Sequence, residues 1–397
     1  MTRPNQFLSP EGDLEDYFVD ESWLIDQWVG DTLLIWGRNT NGQLGNNTIV
    51  DRSTPATTLV GGANWKQVAG GANYTAAIKT DGTLWTWGLN SYGQLGTNNT
   101  TSRSTPVTTL AGGNNWKQVV CGNFHTTAIK TDGTLWTFGR NNFGQLGVNN
   151  TTDRLTPVTT FAGGVNWKQV SSGANNTASI KTDGTLWAWG QGGYGQLGDN
   201  TATSRSTPVT TFAGGTNWKQ VGNGTNHTSA VKTDGTLWTF GRNTNGQLGV
   251  NDTIQRCTPV QTSAGGTNWK QVTGGANHTA AIKTDGTLWT WGLNTNGQLG
   301  VNDTNTRTTP VQTFTQSSNW KQVTGATNHT AAIKTDGTLW NWGLNTNGQL
   351  GVNDITQRNT PVTTLAGGTN WKQVASGGGA SHTIAVTSGT DSTLFIS

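Results

Sequence analysis

The amino-acid sequence is built from a repeat of fixed length. The Trp of the segment Asn-Trp-Lys-Gln-Val stands at positions 65, 116, 167, 218, 269, 320 and 371, and Gly-Gln-Leu-Gly begins at 42, 93, 144, 195, 246, 297 and 348. Both series advance by 51 residues at every step. A period near 50 with several short strands per unit is typical of a β-propeller blade, whereas helical repeats need a 3.6-residue periodicity that is absent here. The sequence therefore predicts one ring of seven similar blades.

Four strands are predicted in each unit. In the first unit, Trp65-Lys66-Gln67-Val68 predicts an innermost strand, and small residues follow it where the blades crowd toward the axis. The next two strands, residues 75–80 and 83–87, are joined through Asp81-Gly82, a dipeptide that favours a tight type I′ turn. Residues 103–110 predict an outer strand, because their proline is tolerated on an edge that needs no ladder donor.

The chain starts in the middle of a blade, and this predicts how the ring closes. Residues 33–37, Leu-Leu-Ile-Trp-Gly, align with residues 84–88, so they are expected to join the blade opened by Trp371 and His382. Residues 393–397 align with the same strand, which gives eight candidates for seven places. We expect the N-terminal copy to close the ring, because it leads directly into the first Gly-Gln-Leu-Gly segment. The predicted fold is an all-β, seven-bladed β-propeller over residues 31–397, preceded by a short helical or irregular leader, residues 1–30.

The repeat carries a family resemblance. Written as Trp-Gly-x-Asn-x-x-Gly-Gln-Leu-Gly, then Pro, then Gly-x-x-His-Thr, it resembles the regulator of chromosome condensation (RCC1) repeat across about residues 31–397. The resemblance implies the same seven-bladed propeller, but propellers host many unrelated activities. The family's founder is a nucleotide exchange factor for a small GTPase and uses an insertion and a basic tail, whereas this repeat has no insertion and its leader is acidic. The Gly-Trp-Arg-His-Thr motif of the plant ultraviolet-B photoreceptor is also absent.

The repeat offers nearly the same groups seven times, whereas an enzyme brings together a few unlike groups. We therefore expect no catalytic residues, no cofactor and no metal site. We also expect no membrane span, because no stretch of the sequence approaches roughly 18 consecutive apolar residues. One repeat position holds histidine in four blades and tyrosine or asparagine in two others: His125, His227, His278, His329, Tyr74 and Asn176. A catalytic base or metal ligand does not tolerate such exchange. We interpret these histidines, and the similar His382, as loop residues hydrogen-bonded to neighbouring backbone.

Charge gives a weak indication of partners. Residues 32–397 carry 23 basic and 13 acidic residues, a net charge of +10, which could attract nucleic acid. The basic residues form rings, since Lys66, Lys79 and Arg52 each begin a series that recurs through the repeats. Because this charge is spread around the ring without basic and aromatic residues alternating on one face, nucleic acid is not an expected partner.

One repeat position departs from the pattern in three consecutive units. The residue before Gly-Gln-Leu-Gly is Asn in four units, but it is Tyr92, Phe143 and Tyr194 in the other three. On a propeller these side chains would form an aromatic arc on one face, with Arg140 nearby. Such a surface is typical of sites that bind sugars or protein loops. The alternative is that each aromatic side chain packs within its own loop.

The leader is the second departure. Residues 1–31 carry eight acidic residues and one arginine, a net charge of −7. Their apolar residues, several of which lie near one face of a helical wheel, predict a docking segment. The candidate docking residues are Tyr17, Phe18, Trp23, Leu24 and Trp28. Either the leader folds back onto the basic propeller, or it attaches the propeller to a larger assembly.

These features lead to a functional expectation. Uniform repeats, the absence of an enzyme-like cluster and a leader similar to those of phage propeller proteins predict a non-enzymatic structural protein of a phage virion, in a tail, fibre or baseplate. Its partners would be other virion proteins through the leader, and a host-surface protein or glycan. The alternative is a free, cytoplasmic bacterial propeller that acts as a protein-interaction scaffold.

Overall fold

The computed structural model of the protein describes residues 31–60 and 63–389, which form 28 β-strands. The strands assemble into seven sheets of four strands each, and every sheet is one blade. The described residues contain no helix, so none of them forms an apolar helix of membrane-spanning length. The prediction of a seven-bladed, four-stranded all-β propeller is confirmed.

The strands in chain order are β1 (Thr32–Gly37), β2 (Arg52–Thr57), β3 (Trp65–Gly70), β4 (Tyr74–Lys79), β5 (Leu84–Gly88), β6 (Arg103–Thr108), β7 (Trp116–Cys121), β8 (His125–Lys130), β9 (Leu135–Gly139), β10 (Arg154–Thr159), β11 (Trp167–Ser172), β12 (Asn176–Lys181), β13 (Leu186–Gly190), β14 (Arg205–Thr210), β15 (Trp218–Asn223), β16 (His227–Lys232), β17 (Leu237–Gly241), β18 (Arg256–Gln261), β19 (Trp269–Gly274), β20 (His278–Lys283), β21 (Leu288–Gly292), β22 (Arg307–Gln312), β23 (Trp320–Gly325), β24 (His329–Lys334), β25 (Leu339–Gly343), β26 (Arg358–Thr363), β27 (Trp371–Ala375) and β28 (His382–Thr387).

Each blade is an antiparallel meander that runs from the axis to the rim. In the first blade β3 pairs with β4, β4 with β5, and β5 with β6. The connections after the first and third strands, residues 71–73 and 89–102, lie on one face of the ring, which we call the long-loop face. The connections after the second and fourth strands, residues 80–83 and 109–115, lie on the opposite face, which we call the turn face. We number the blades from β3, so that the seventh blade contains both ends of the described chain.

The turn between the second and third strands differs from the prediction. A type I′ turn needs positive φ at both central residues, but here only Gly82 is left-handed, with φ of 82°. The amide of Gly82 donates to Lys79 O at 2.9 Å and the amide of Lys79 donates to Thr83 O at 3.1 Å, which defines a three-residue loop ending in a glycine bulge. Asp81 keeps negative φ because its Oδ1 accepts from the amide of Thr83 at 2.9 Å.

The ring closes through the N-terminal strand, as predicted. The seventh blade has the strand order β2-β1-β28-β27, so strands from the two ends of the chain share one sheet. β1 and β28 pair antiparallel in continuous register from Thr32 opposite Thr387 to Gly37 opposite His382. This pairing fills the third place of the seventh blade. The competing copy, residues 393–397, lies outside the described residues.

Tryptophans fill the space between neighbouring blades. At the junction of the seventh and first blades, Trp65 and Trp87 pack with Leu33 and Ile35. Their ring centroids are 6.1 Å apart at an interplanar angle of 62°, and neither ring is more than 1% exposed. The Nε1 of Trp87 donates to the carbonyl of Gln43, inside the Gly-Gln-Leu-Gly segment of the seventh blade, at 2.9 Å. Tryptophan packing therefore joins the seventh blade to the first.

A belt of glutamines joins the innermost strands around the axis. The Nε2 of Gln220 donates to Val272 O at 2.8 Å, and the amide of Val272 donates back to Gln220 Oε1 at 2.9 Å. Equivalent pairs of bonds join the innermost strands at five other junctions. At the remaining junction, between the seventh and first blades, Gln373 Oε1 has no partner among the described residues. The belt therefore has one open link, at the closure of the ring.

The axial channel is blocked at its long-loop end. The connection between β27 and β28 is two residues longer than its equivalents, and its glycines 377–379 reach across the axis. Thr225 of the fourth blade donates to Gly378 O at 3.1 Å, while a Cβ on Gly377 would lie 2.0 Å from Gly70 O of the first blade. Only glycine fits so close to backbone on opposite sides of the ring. Behind this plug lies a cavity of about 140 Å³, lined by residues that include Cys121 and Asn223.

Candidate functional site

The predicted aromatic arc lies on the long-loop face. Tyr92, Phe143 and Tyr194 occupy equivalent positions in the third connection of the first, second and third blades. In each, the residue's amide donates to the side-chain oxygen of the glutamine two positions on, at 2.9 Å. This local bond fixes the turn, and all three side chains are half-buried. The structure therefore places the three residues at successive blade junctions on one face.

Tyr92 packs against the neighbouring blade instead of within its own loop. Its ring lies 5.4 Å from the ring of Phe124, centroid to centroid, at an angle of 58°. The guanidinium carbon of Arg140 lies 4.7 Å from the Tyr92 centroid and 5.8 Å from the Phe124 centroid. Phe124 and Arg140 both belong to the second blade, and both are half-buried. The result is a planar cation stacked on two aromatic rings at the first blade junction.

The two other members of the arc have different surroundings. Arg242 of the fourth blade lies over Tyr194, with 5.3 Å between the guanidinium carbon and the ring centroid. At the junction after Phe143, the positions equivalent to Phe124 and Arg140 hold Asn175 and Gln191, whose side chains bond to each other at 3.2 Å. The arc thus carries arginines at its two ends and neutral amides in its middle.

Sequence reasoning found Tyr92, Phe143, Tyr194 and Arg140 but missed Phe124 and Arg242. Phe124 departs from its repeat position, where five other repeats have asparagine. Arg242 stands at a position that holds arginine in three repeats, leucine in three and glutamine in one. A comparison of every repeat position would have found Phe124 but would not have singled out Arg242.

Acidic residues neutralise part of the arginine charge on this face. Aspartates form ion pairs with the arginine that opens the outer strand in four blades, at N to O distances of 2.5 to 2.8 Å: Asp199 with Arg205, Asp252 with Arg256, Asp303 with Arg307 and Asp354 with Arg358. Arg140 and Arg242 form no ion pair with any described residue. The two arginines of the arc therefore keep their charge available for a partner.

The histidines are structural, but not in the way predicted. His125 opens strand β8 and is fully buried. Its Nε2 lies 3.0 Å from Thr177 Oγ1 of the next blade, and that hydroxyl donates to Gln145 O at 3.0 Å. Because the threonine's only proton is used, Nε2 must be the donor to it. The expected loop position and backbone partner were wrong, since the side-chain hydroxyl of the next blade lies within reach.

Burial keeps these histidines neutral. It lowers the pKa of His125, His227, His329 and His382 to about 3 and that of His278 to about 4. Each ring belongs to a different blade junction, and no group of three or more metal-binding side chains occurs among the described residues. The buried rings can therefore join blades but cannot act on a solvent-borne substrate.

The candidate docking residues of the leader, Tyr17, Phe18, Trp23, Leu24 and Trp28, lie outside the described residues. The described chain begins at Asp31 on the turn face. There Asp31 O accepts from the amide of Trp65 at 3.0 Å, and its carboxylate pairs with Lys372.

Comparison with family models identifies the repeat. A model of the RCC1-like domain matches residues 28–263, and a model of the regulator of chromosome condensation (RCC1) repeat matches residues 285–333 and 336–386. The chain is 36% identical over 340 residues to the ultraviolet-B receptor UVR8 of Arabidopsis thaliana, covering 84% of this chain and 77% of that protein.

Two further relatives are matched over a small part of their length. The chain is 27% identical over 344 residues to the X-linked retinitis pigmentosa GTPase regulator homolog of Caenorhabditis elegans, of which the match covers 24%. It is 33% identical over 208 residues to the human probable E3 ubiquitin-protein ligase HERC4, of which the match covers 19%. The shares of this chain are 75% and 51%.

Solved structures share the fold. Human WBSCR16 superposes with a TM-score of 0.81 at 23% identity, over 91% of this chain and 100% of that one. Yeast RCC1 (Prp20), solved bound to Kap60, superposes with a TM-score of 0.80 at 18% identity, over 99% of this chain and 97% of that one.

The expectation of a phage virion protein is wrong. The matched relatives are a plant receptor, a nematode GTPase regulator homolog and a human ligase. Uniform repeats and the lack of an enzyme-like cluster are equally compatible with a binding propeller outside a virion, so they did not distinguish the two classes of protein. The leader did not distinguish them either. The family match begins only at residue 28, so it does not cover most of the leader. The predicted virion partners are therefore not supported either.

Proposed function

Because the chain belongs to the regulator of chromosome condensation (RCC1) repeat family, we propose that it is a propeller that binds another protein and catalyses no reaction itself. The names of its relatives support a binding or regulatory role: one is a receptor and another a GTPase regulator homolog. Yeast Prp20, which has the same fold, is bound to Kap60 in one solved structure and is described as binding Gsp1p and histones in another. The match to HERC4 spans only 19% of that protein, so we do not extend the ligase activity in its name to this chain.

We propose the aromatic arc, extended to Phe124 and Arg242, as the binding surface. The observation that carries this proposal is the stack of Arg140 on Tyr92 and Phe124, with 4.7 Å from the guanidinium to the Tyr92 ring. Aromatic residues and arginine are enriched among the residues that dominate protein interfaces. A guanidinium stacked on a ring keeps its N–H edge free to bind a carboxylate through two hydrogen bonds. The partner we propose is therefore a protein loop that carries an acidic residue.

Light reception by the route of the plant ultraviolet-B receptor has no support in this chain. The Gly-Trp-Arg-His-Thr motif does not occur in the sequence. The tryptophans of the described strands pair with one another or with lysine, for example Trp65 with Trp85 and Lys79 of the same blade. Similarity to that receptor therefore supports family membership and fold only.

The experiment is affinity capture with the full chain, followed by binding measurements with the purified partner. Replacing Arg140 and Arg242 with alanine, or Tyr92 with alanine, is expected to weaken binding at least about tenfold. The matched control replaces Asn245 and Asn296 with alanine. These residues occupy the arc position in later repeats, and this variant is expected to bind like the wild type. Wild-type affinity in the arc variants would overturn the proposed surface.

A further inference from the structure

Lysine and arginine are segregated between the two faces of the ring. Every lysine of the chain lies at the turn-face end of a blade, either as the second residue of the innermost strand or as the last residue of the second strand: Lys66, Lys117, Lys168, Lys219, Lys270, Lys321 and Lys372, and Lys79, Lys130, Lys181, Lys232, Lys283 and Lys334. Every arginine of the described residues lies at the long-loop end, either just after the third strand or at the start of the fourth. The prediction of charge spread around the ring did not distinguish the two faces.

The lysines that end the second strands pack against tryptophans of their own blade. The Nζ of Lys130 lies 4.7 Å from the ring centroid of Trp116 and 4.5 Å from that of Trp136, between the two rings. The same arrangement occurs in five further blades, at distances of 4.3 to 4.9 Å. These six lysines are already held by cation–π contacts.

The lysines of the innermost strands form a crown at the turn-face end of the axial channel, opposite the glycine plug. All seven are exposed. Among the described residues only Lys372 has an ion-pair partner, and that partner is Asp31. The turn aspartates on this face, such as Asp81, accept hydrogen bonds from the backbone amide and the hydroxyl of the threonine two residues later. Within the described part of the chain, six lysines of the crown thus have no ion-pair partner.

A ring of exposed apolar side chains surrounds this crown at the rim. They follow the outer strand in six blades and are 55% to 65% exposed: Leu59, Leu110, Phe161, Phe212, Phe314 and Leu365. Thr109, just before Leu110, donates to Leu84 O beside the hairpin turn, which places this series on the turn face. A basic centre with an apolar rim suits a segment that carries both acidic and aromatic residues.

The leader carries both acidic and aromatic residues, and it joins the described chain at Asp31 on the turn face. Residues 1–30 contain seven acidic residues and one arginine, together with five aromatic residues. They continue into Asp31, which is bonded to Trp65 and paired with Lys372 of the crown. Thirty residues reach about 100 Å when extended, which is enough to cross the face of a propeller.

We propose that residues 1–30 dock on the turn face of their own propeller. Their carboxylates pair with the lysine crown, and Tyr17, Phe18, Trp23, Leu24 and Trp28 cover the exposed leucines and phenylalanines of the rim. The Asp31–Lys372 pair is the first contact of this series. The docking is independent of the proposed function, because the aromatic arc lies on the opposite face.

Glutamate-specific proteolysis tests the proposal, because all three glutamates of the chain lie in the leader, at Glu11, Glu15 and Glu21. The cleavage rate of the full chain is compared with that of a free peptide of residues 1–30 in the same buffer. We expect the leader of the full chain to be cut at least about tenfold more slowly. Replacing Lys66, Lys321 and Lys372 with glutamine, which adds no cleavage site, is expected to restore much of the peptide's rate.

The matched control replaces Arg52, Arg103 and Arg154 with glutamine, which removes the same charge from the long-loop face. This variant is expected to stay as protected as the wild type. Equal acceleration in both variants, or a wild-type leader cut as fast as the free peptide, would overturn the proposal. Protection that increases with protein concentration would overturn it too, because the leader would then occupy a second copy of the chain.

Discussion

The Nε2 of His382 lies 3.0 Å from the Oγ1 of Thr75, which joins the second strand of the last blade to that of the first. The hydroxyl of Thr75 donates onward to Gln43 O at 2.9 Å, and Trp87 Nε1 donates to the same oxygen. The histidine, threonine and tryptophan positions of the repeat therefore meet at the junction between blades. Four other junctions contain the same histidine-to-threonine contact.

These histidines predict acid sensitivity. Burial lowers the pKa of His382 to about 3 from 6.5, so the unfolded chain takes up protons first as the pH falls. The stabilising contribution is complete above pH 6.5 and is lost as the pH falls from there toward the folded pKa. Each histidine contributes about 1.4 kcal/mol per pH unit in that window. Denaturant unfolding from about pH 7 to about pH 5 measures the slope, and aspartate titration begins below this range.

The matched variant replaces His278 with asparagine, the residue found at the equivalent Asn176. It is expected to be less stable at neutral pH, because Thr330 loses its partner, and to have a shallower pH dependence by one proton. An unchanged slope would mean that the histidines do not cause the acid sensitivity.

Glycine to alanine changes are expected to separate close approach from backbone strain. Gly147 has φ of 68°, and a Cβ there would lie 2.8 Å from Trp189 Nε1. Gly214 has φ of 54°, but a Cβ there would meet nothing within 4 Å. Gly214→Ala is expected to lower the free energy of unfolding by about 1 kcal/mol, and Gly147→Ala by about 2 kcal/mol more. Equal losses in chemical denaturation would show that the Trp189 contact relaxes without cost.

The glutamine belt predicts a difference between two alanine variants. Gln220→Ala removes two hydrogen bonds and leaves the backbone amide and carbonyl of Val272 without these partners. We therefore expect a loss of about 1 to 3 kcal/mol in the free energy of unfolding. Gln373→Ala, at the open link, is expected to cost less than about 0.5 kcal/mol. Both are measured by urea unfolding, and similar losses would contradict the open link.

The two cysteines are expected to differ in reactivity toward a disulfide reagent such as Ellman's. Burial raises the pKa of the Cys121 thiol to about 12, while Cys257 is half-buried on an outer strand. In the native protein one thiol should react, and both should react after denaturation. Cys257→Ser should remove the native reaction. Fast labelling of Cys121 in that variant would show that the axial cavity opens.

Much of the fold was predictable because its information is periodic. The 51-residue step gives the blades, and the alignment of residues 33–37 with 84–88 gives the closure, which β1 and β28 confirm. The histidine partners could have been found in the same way, since His125 and Thr177 are one period and one residue apart. The hairpin turn could not, because Asp-Gly fits both a type I′ turn and a glycine bulge, and the two are distinguished by the backbone bonds of Lys79 and the φ of Asp81.

The candidate site was less predictable than the fold. The departures Tyr92, Phe143 and Tyr194 were visible in the sequence, but their contacts lie on the following blade, as the stack with Phe124 shows. The plug shows the same limit, since two extra residues in one connection do not reveal that glycines 377–379 cross the axis. Periodicity describes what the blades share, whereas these features depend on where the blades differ.

The register that closes the ring also determines how the protein bears load. Thr32 and Thr387 are direct partners in an antiparallel pair, so the two ends of the described chain leave the molecule side by side. A pull on the ends would stress the hydrogen bonds between β1 and β28 one after another, as in a zipper, and not all together. The seventh blade is thus the place where tension on the two ends would open the ring.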